Sequence, residues 1–142
     1  MPDKELIRFL EAQNQMYLTA LTEVKNGSKR SHWMWFIFPQ VKGLGTSETA
    51  RYFGLNGISE ATEYLKHPVL GRHLVEISQT LLALEGKTAR QIFGTPDDLK
   101  LRSCMTLFAV VENSNPVFSR VLEKYFNGQP DALTLSILEK QS

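Results

Sequence analysis

The chain has 142 residues, 42% of them apolar and 22% charged, with a formal net charge of +1. That length suits one domain with one sizeable core; no run of about 20 apolar residues exists to span a bilayer, and a near-zero net charge supplies no global field for nucleic acid or membrane. A single cysteine, Cys104, excludes an intramolecular disulfide, and Met1 to Glu5 lacks the basic and apolar regions of a secretion signal, so a reducing cytoplasm is expected.

The punctuation of the chain predicts helix after helix. Asp3 can cap a first helix running to about Asn26, with Gly27 ending it. Its apolar stripe is Leu6, Phe9, Leu10, Tyr17, Ala20, Leu21 and Val24 at helical spacing. Next, Trp33 to Phe38 holds both tryptophans and two phenylalanines. Aromatics favour strand there, but a lone strand has no partner, so a buried helical turn or extended segment is expected. Ser47 is a good cap for a short helix that Gly54 stops. Ser59 caps another, through Tyr64 and Leu65 to His67. Pro68 suits the first turn of the next, which carries Leu70, Leu74, Ile77, Leu81 and Leu84 to Gly86.

Thr88-Ala89-Arg90-Gln91 is a capping-box pattern closed by Gly94. Thr95, Pro96, Asp97 and Asp98 read as cap, N1 proline and two acids at the start of a long helix to about Glu112. Asn115-Pro116 opens a helix that Gly128 ends, and Asp131 caps the last, with Leu135 and Leu138 on one face. The expected fold is all-α: a compact single-domain bundle (1–142) of about seven helices, with a buried aromatic segment between the first and second.

Several polar residues sit where apolar ones belong. Gln13 lies on the buried stripe of the first helix, where an amide without partners costs roughly 1–3 kcal/mol; it bonds a neighbour or faces a polar cavity. Lys100, Ser103 and Thr106 form a polar seam on the most apolar helix. Serine and threonine can bond back to the i−4 carbonyl; a lysine at a pocket wall can hold an anion. Cys104, with no base placed by spacing, reads as a core thiol, and His32, His67 and His73 lack metal-ligand spacing. Gly43-Leu44-Gly45-Thr46-Ser47 leads into a helix start where free N–H groups can hold an anion. Between Lys25 and Arg51 lie Lys25, Lys29, Arg30, Lys42 and Arg51 against Glu48, a local excess of four.

Gln13, Ser31-His32-Trp33-Met34-Trp35-Phe36, Phe38-Pro39-Gln40, Gly43-Leu44-Gly45 and Tyr52 together resemble a mainly bacterial family of unknown function, some of whose members are labelled, misleadingly, calpastatin. The match continues through Tyr64-Leu65, His67-Pro68, Leu70-Gly71, Ile92-Phe93-Gly94, Lys100-Leu101, Ser103 and Met105-Thr106-Leu107-Phe108 to Tyr125 and Asp131. The resemblance implies a compact, mainly helical domain and supplies no reaction. Many relatives have a second serine where this chain has Cys104.

Two functional readings stand beside each other. In the first, a polar and aromatic pocket takes a small anionic ligand such as a nucleotide or ADP-ribose derivative, and hydrolysis or group transfer is the reaction class. Gln13, His32 and Gln40 orient the ligand, Trp33 or Trp35 stacks on it, and Lys42, Arg51 or Lys100 holds its charge. Gly43, Gly45, Ser47, Ser103 and Thr106 complete the lining. His32 is the natural acid or base, with Lys100 a second catalytic candidate. No metal or cofactor is implied. In the second reading, the aromatic segment docks a protein partner and no reaction occurs.

Overall fold

The computed structural model describes residues 2–141, and side chains from Leu6 onward. Every regular element among them is a helix: α1 (Pro2–Lys25), α2 (Met34–Ile37), α3 (Glu48–Phe53), α4 (Gly57–Lys66), α5 (Leu70–Ala83), α6 (Ala89–Phe93), α7 (Asp97–Ala109), α8 (Val117–Phe126) and α9 (Ala132–Gln141). The fold is all-α, as expected. Seven helices have six residues or more; α2 and α6 are short turns of four and five residues.

The local signals act much as the sequence suggests. On α1, Leu6, Phe9, Tyr17, Ala20, Leu21 and Val24 are buried. The helix closes where Gly27 N–H reaches Val24 O (2.9 Å) and Ser28 N–H reaches Glu23 O (3.0 Å), the paired bonds of a Schellman motif. The capping role expected of Asp3 lies outside the described side chains. Ser47 accepts Ala50 N–H, and Thr88 and Gln91 form both halves of a capping box. Asp131 Oδ2 accepts the Thr134 N–H and hydroxyl, at 2.9 and 2.6 Å.

Three expectations need correction. Ser59 lies inside α4, which begins earlier, where Glu60 Oε1 reaches back to accept Asn56 N–H at 2.8 Å. Helix α7 takes Pro96 rather than Thr95 as its cap residue and stops at Ala109, short of Glu112. On α9 the buried face is Thr134 and Leu138, one i,i+4 pair, while Leu135 is 36% exposed. The Thr134 hydroxyl can be buried because Asp131 accepts its hydrogen bond.

The aromatic segment resolves as one helical turn. Ile37 N–H bonds Trp33 O (3.1 Å) and Phe38 N–H bonds Met34 O (3.0 Å). Trp33, Met34, Ile37 and Phe38 all face the core. After it the chain makes an excursion through the glycine turn and α3, closed at its base by a parallel bridge of Val41 with Leu55. Leu55 N–H donates to Gln40 O (2.9 Å) and Lys42 N–H to Leu55 O (2.8 Å). A Cβ at Gly54 would lie 2.8 Å from Lys42 Cα, so only glycine lets the two segments cross so closely. Around this frame α7 packs on α4, α6, α8 and α9, and α5 packs on α1, α4 and α8.

Gln13, only 3% exposed, joins four of these helices. Its Nε2 donates to Phe36 O and to the Tyr64 hydroxyl, both at 2.8 Å, and its Oε1 meets His73 Nδ1 at 2.8 Å. An amide oxygen only accepts, so His73 Nδ1 carries the proton. The His73 ring lies parallel to Tyr17, centroids 3.6 Å apart, and the Tyr17 hydroxyl donates to Glu76. Burial, reinforced by Arg72, lowers the His73 pKa below the ordinary histidine range. Gln13→Ala strands an imidazole N–H, a carbonyl and a phenol at once. Urea melts should show a loss of about 2–4 kcal/mol with helical circular dichroism retained in the folded baseline. A loss under about 1 kcal/mol would contradict the account.

Candidate functional site

The site begins with a carboxylate near the end of α1. Glu23 accepts hydrogen bonds from Arg30 N–H (2.8 Å), Ser31 N–H (3.0 Å), the Ser31 hydroxyl (2.6 Å) and the Trp33 indole N–H (2.9 Å). These bonds fold residues 30–33 back onto the helix and direct the Trp33 ring into the core. Burial by itself would raise the Glu23 carboxyl. The bonds from Ser31, Arg30 and Trp33 outweigh it and hold the group down at about 2.

Lys29, beside this turn, is tied to α6 and α7. Its N–H donates to Ile92 O (2.7 Å), its Nζ to Ser31 O (2.6 Å), and the ammonium lies 2.9 Å from Asp97 Oδ2 and 5.0 Å above the Trp33 ring. Lys100 Nζ meets the other oxygen, Asp97 Oδ1, at 3.1 Å and sits 4.3 Å above the Trp35 ring. Burial opposes ionisation of Asp97, but bonds from Lys29 and Lys100 prevail and keep its carboxyl below the usual range. Two ammonium groups share one carboxylate, leaving one positive charge uncompensated. With His32, Met34, Phe36 and Thr49 these residues line a pocket of about 370 Å³. His32 is exposed and Trp35 half-buried, while Trp33 lies beneath as floor. A Cβ on Gly45 would meet Ala50 Cβ at 2.6 Å and Trp35 Cη2 at 3.0 Å, so the glycine turn rests directly on the indole edge.

His32, Trp33, Trp35 and Lys100 are thus brought together from the expected set. Lys42 and Arg51 are not; they line a separate pocket of about 340 Å³ with Ile7, Arg8, Glu11 and Tyr52 among others. Gln13 is committed to its three partners. Ser103 donates to Leu99 O (3.2 Å), and Thr106 donates to Arg102 O (2.8 Å) while accepting Asp131 N–H (2.8 Å), so the seam is satisfied within the fold. Ser47 serves α3, and Gly43 sits exposed at φ +109° in the turn. Gln40 is buried, its carbonyl in the bridge and its Nε2 without a partner among the described residues. Burial pushes the Cys104 thiol well up, away from thiolate chemistry.

Lys29, Asp97, Glu23 and Thr49 were not anticipated as site residues. Asp97 and Lys100, three apart, gave the only local signal; Lys29 is distant in sequence. A larger depression of about 630 Å³, walled by Ile58, Leu65, Val75, Val111 and Phe118, lies elsewhere and gathers none of the expected residues. Among the described residues, no three His, Cys, Asp or Glu side chains group as metal ligands, and no helix is long and apolar enough to cross a membrane.

The family model described as protein of unknown function (DUF1810) matches residues 3–138, and the chain belongs to that family. Its structure is similar to the crystal structure of the conserved hypothetical protein Rv1873 from Mycobacterium tuberculosis. The two chains are 43% identical over 95% of this chain and 96% of that one, with a TM-score of 0.93. No curated protein matches the chain.

The Glu23 cluster has a pH signature. Its folded pKa of about 2 lies below the ordinary 4.5, so its contribution to stability is complete above pH 4.5 and is lost as pH falls toward 2. The melting-temperature gap between wild type and Glu23→Gln should therefore narrow over that window. A gap that stays constant from pH 5 to about pH 2 would show that the carboxylate is not held by these bonds.

Proposed function

We propose that this member of the DUF1810 family binds a small anionic ligand with a planar ring, of nucleotide or ADP-ribose-like chemistry, in the pocket of His32, Trp35 and Lys100. One observation carries the reading. The Lys100 ammonium is held 4.3 Å above the Trp35 ring while it shares Asp97 with Lys29. A cation fixed against a half-exposed indole offers charge and a stacking surface side by side. The pocket volume, about 370 Å³, falls within the usual span of about 300–1,000 Å³ for small-molecule sites.

The residues take separate roles. Trp35 stacks, Lys100 meets the negative charge, and Asp97 with Lys29 fixes Lys100. His32, exposed at the rim, is the side chain able to exchange a proton with a bound ligand. Hydrolysis or group transfer is the reaction class to test there. A cytoplasmic setting fits a chain whose one cysteine is buried and free. Docking of a protein through the aromatic segment has less surface to use, since Trp33, Ile37 and Phe38 are at most 2% exposed and only Trp35 and Phe36 are part-exposed.

A thermal-shift panel of nucleotides, ADP-ribose and NAD derivatives tests the proposal. A ligand at about 100 times its Kd adds about 2.7 kcal/mol of stability. Trp35→Leu and Lys100→Gln should each weaken that ligand by about tenfold or more, while His32→Ala leaves binding largely intact and removes turnover. A flat panel, or Trp35→Leu and Lys100→Gln variants that bind like wild type, would sink the reading.

A further inference from the structure

The cations of the second pocket differ from those beneath the tryptophans in one respect. Lys29 and Lys100 share a carboxylate, whereas Lys42 and Arg51 have no ion-pair or hydrogen-bond partner for their side chains among the described residues. Both nevertheless line one cavity of about 340 Å³. Their backbones are held in place. Lys42 is fixed through its N–H to Leu55 O (2.8 Å) and by the close crossing at Gly54, and Arg51 lies in the last turn of α3. Beneath them Arg8 donates from Nε to Tyr52 O (2.7 Å) and from a terminal nitrogen to Gly54 O (3.1 Å). Arg8 also pairs with Glu60 at 3.3 Å, which offsets its charge. Among the described residues, the one carboxylate lining the cavity is Glu11. Counted over the described residues, the opening thus carries Lys42 and Arg51 against Glu11, a net charge of +1.

From this arrangement we infer a second anion site, independent of the aromatic pocket, in which Lys42 and Arg51 hold the phosphate of a small hydroxylated phosphate ester. The guanidinium fork takes two phosphate oxygens and the ammonium acts as a point charge on a third. A doubly charged headgroup relieves the repulsion between two unpaired cations on one rim. Glu11 accepts from a ligand hydroxyl, and the Asn56 amide, also lining the cavity, donates to or accepts from another. The same Glu11 disfavours an extended polyanion. Helix α3 divides the two sites, with Thr49 lining the aromatic pocket and Arg51 this one.

Amide-resolved NMR titration at low ionic strength with inorganic phosphate, glucose 6-phosphate and glucose tests the inference. Both phosphates should move the amides of Lys42, Arg51 and Tyr52, the ester more tightly, and glucose alone should move none. Lys42→Gln with Arg51→Gln should weaken both phosphates by about tenfold or more with an unchanged melt, since both side chains are exposed. Glu11→Gln should erase the preference for the ester over inorganic phosphate, and Lys100→Gln should leave the shifts at residues 42–56 unchanged. Silence at residues 42–56, binding that survives the double variant, or shifts confined to Trp35 and Lys100 would each overturn it. Failure of this site is told apart from failure of the ring-binding pocket because the Lys42 and Arg51 variants leave that pocket's lining intact.

Discussion

Gln13 sits on the buried stripe of α1, where apolar packing alone would leave its amide about 1–3 kcal/mol short. Three partners answer it at 2.8 Å: a carbonyl from α2, a phenol from α4 and an imidazole from α5. Apolar contact is non-directional and would tolerate several registers of these helices. A planar amide with two donors in fixed directions does not. It requires the Phe36 carbonyl to turn inward, Tyr64 to reach across the core, and His73 to present a protonated Nδ1. Tyr17 then lies flat on that imidazole and holds its ring plane. The position of α2, and with it the aromatic pocket, follows from this one side chain.

The aromatic segment divides into floor and rim by the same logic of satisfied polar groups. Trp33 can be fully buried because Glu23 takes its indole N–H. Its ring packs near Phe38 and Phe93, which ties α6 to the floor. Trp35 has no such anchor and stays half exposed beneath Lys100. Lys100 does not extend into water, because Asp97 in the same first turn draws it back, and Asp97 is itself favoured there by the positive end of the α7 dipole. An acid at a helix start and two lysines stabilise one another, and the indole faces beneath the ammonium groups add cation–π attraction.

What was legible in the sequence was local. Ser47, Thr88 with Gln91, and Asp131 cap what they were expected to cap, because a cap involves groups two or three residues apart. The apolar stripe of α1 is read for the same reason. Ser59 misled because a distant requirement prevailed: Glu60 must reach both Asn56 N–H and Arg8, and the helix starts where that is met. Leu135 misled because Thr134, with its hydroxyl given to Asp131, takes the inward position. In the site, His32, Trp35 and Lys100 were visible as unusual residue types. Glu23, Lys29 and Asp97 were not, since ordinary charged residues acquire a role only when the fold brings residues about 70 positions apart, such as Lys29 and Asp97, into contact.

Charge shows the limit most clearly. The local excess of four between Lys25 and Arg51 reads on paper as one basic patch. In the fold its members differ by partner. Lys29 is paired and largely buried, whereas Lys42 and Arg51 are exposed and, among the described residues, unpaired. Because screening acts over about 8–10 Å at physiological salt, a ligand responds to the few charges lining its own pocket and not to the chain total of +1. A nearly neutral protein is therefore compatible with the two separate anion sites proposed. They differ in kind: one sets a shared ammonium against an aromatic ring, the other sets two free cations against a single carboxylate. Under the functions proposed for them, the first arrangement would select for a flat ring beside the charge, the second for charge density with hydroxyls beside it. Counting basic residues cannot separate these two chemistries; pairing state and neighbours do.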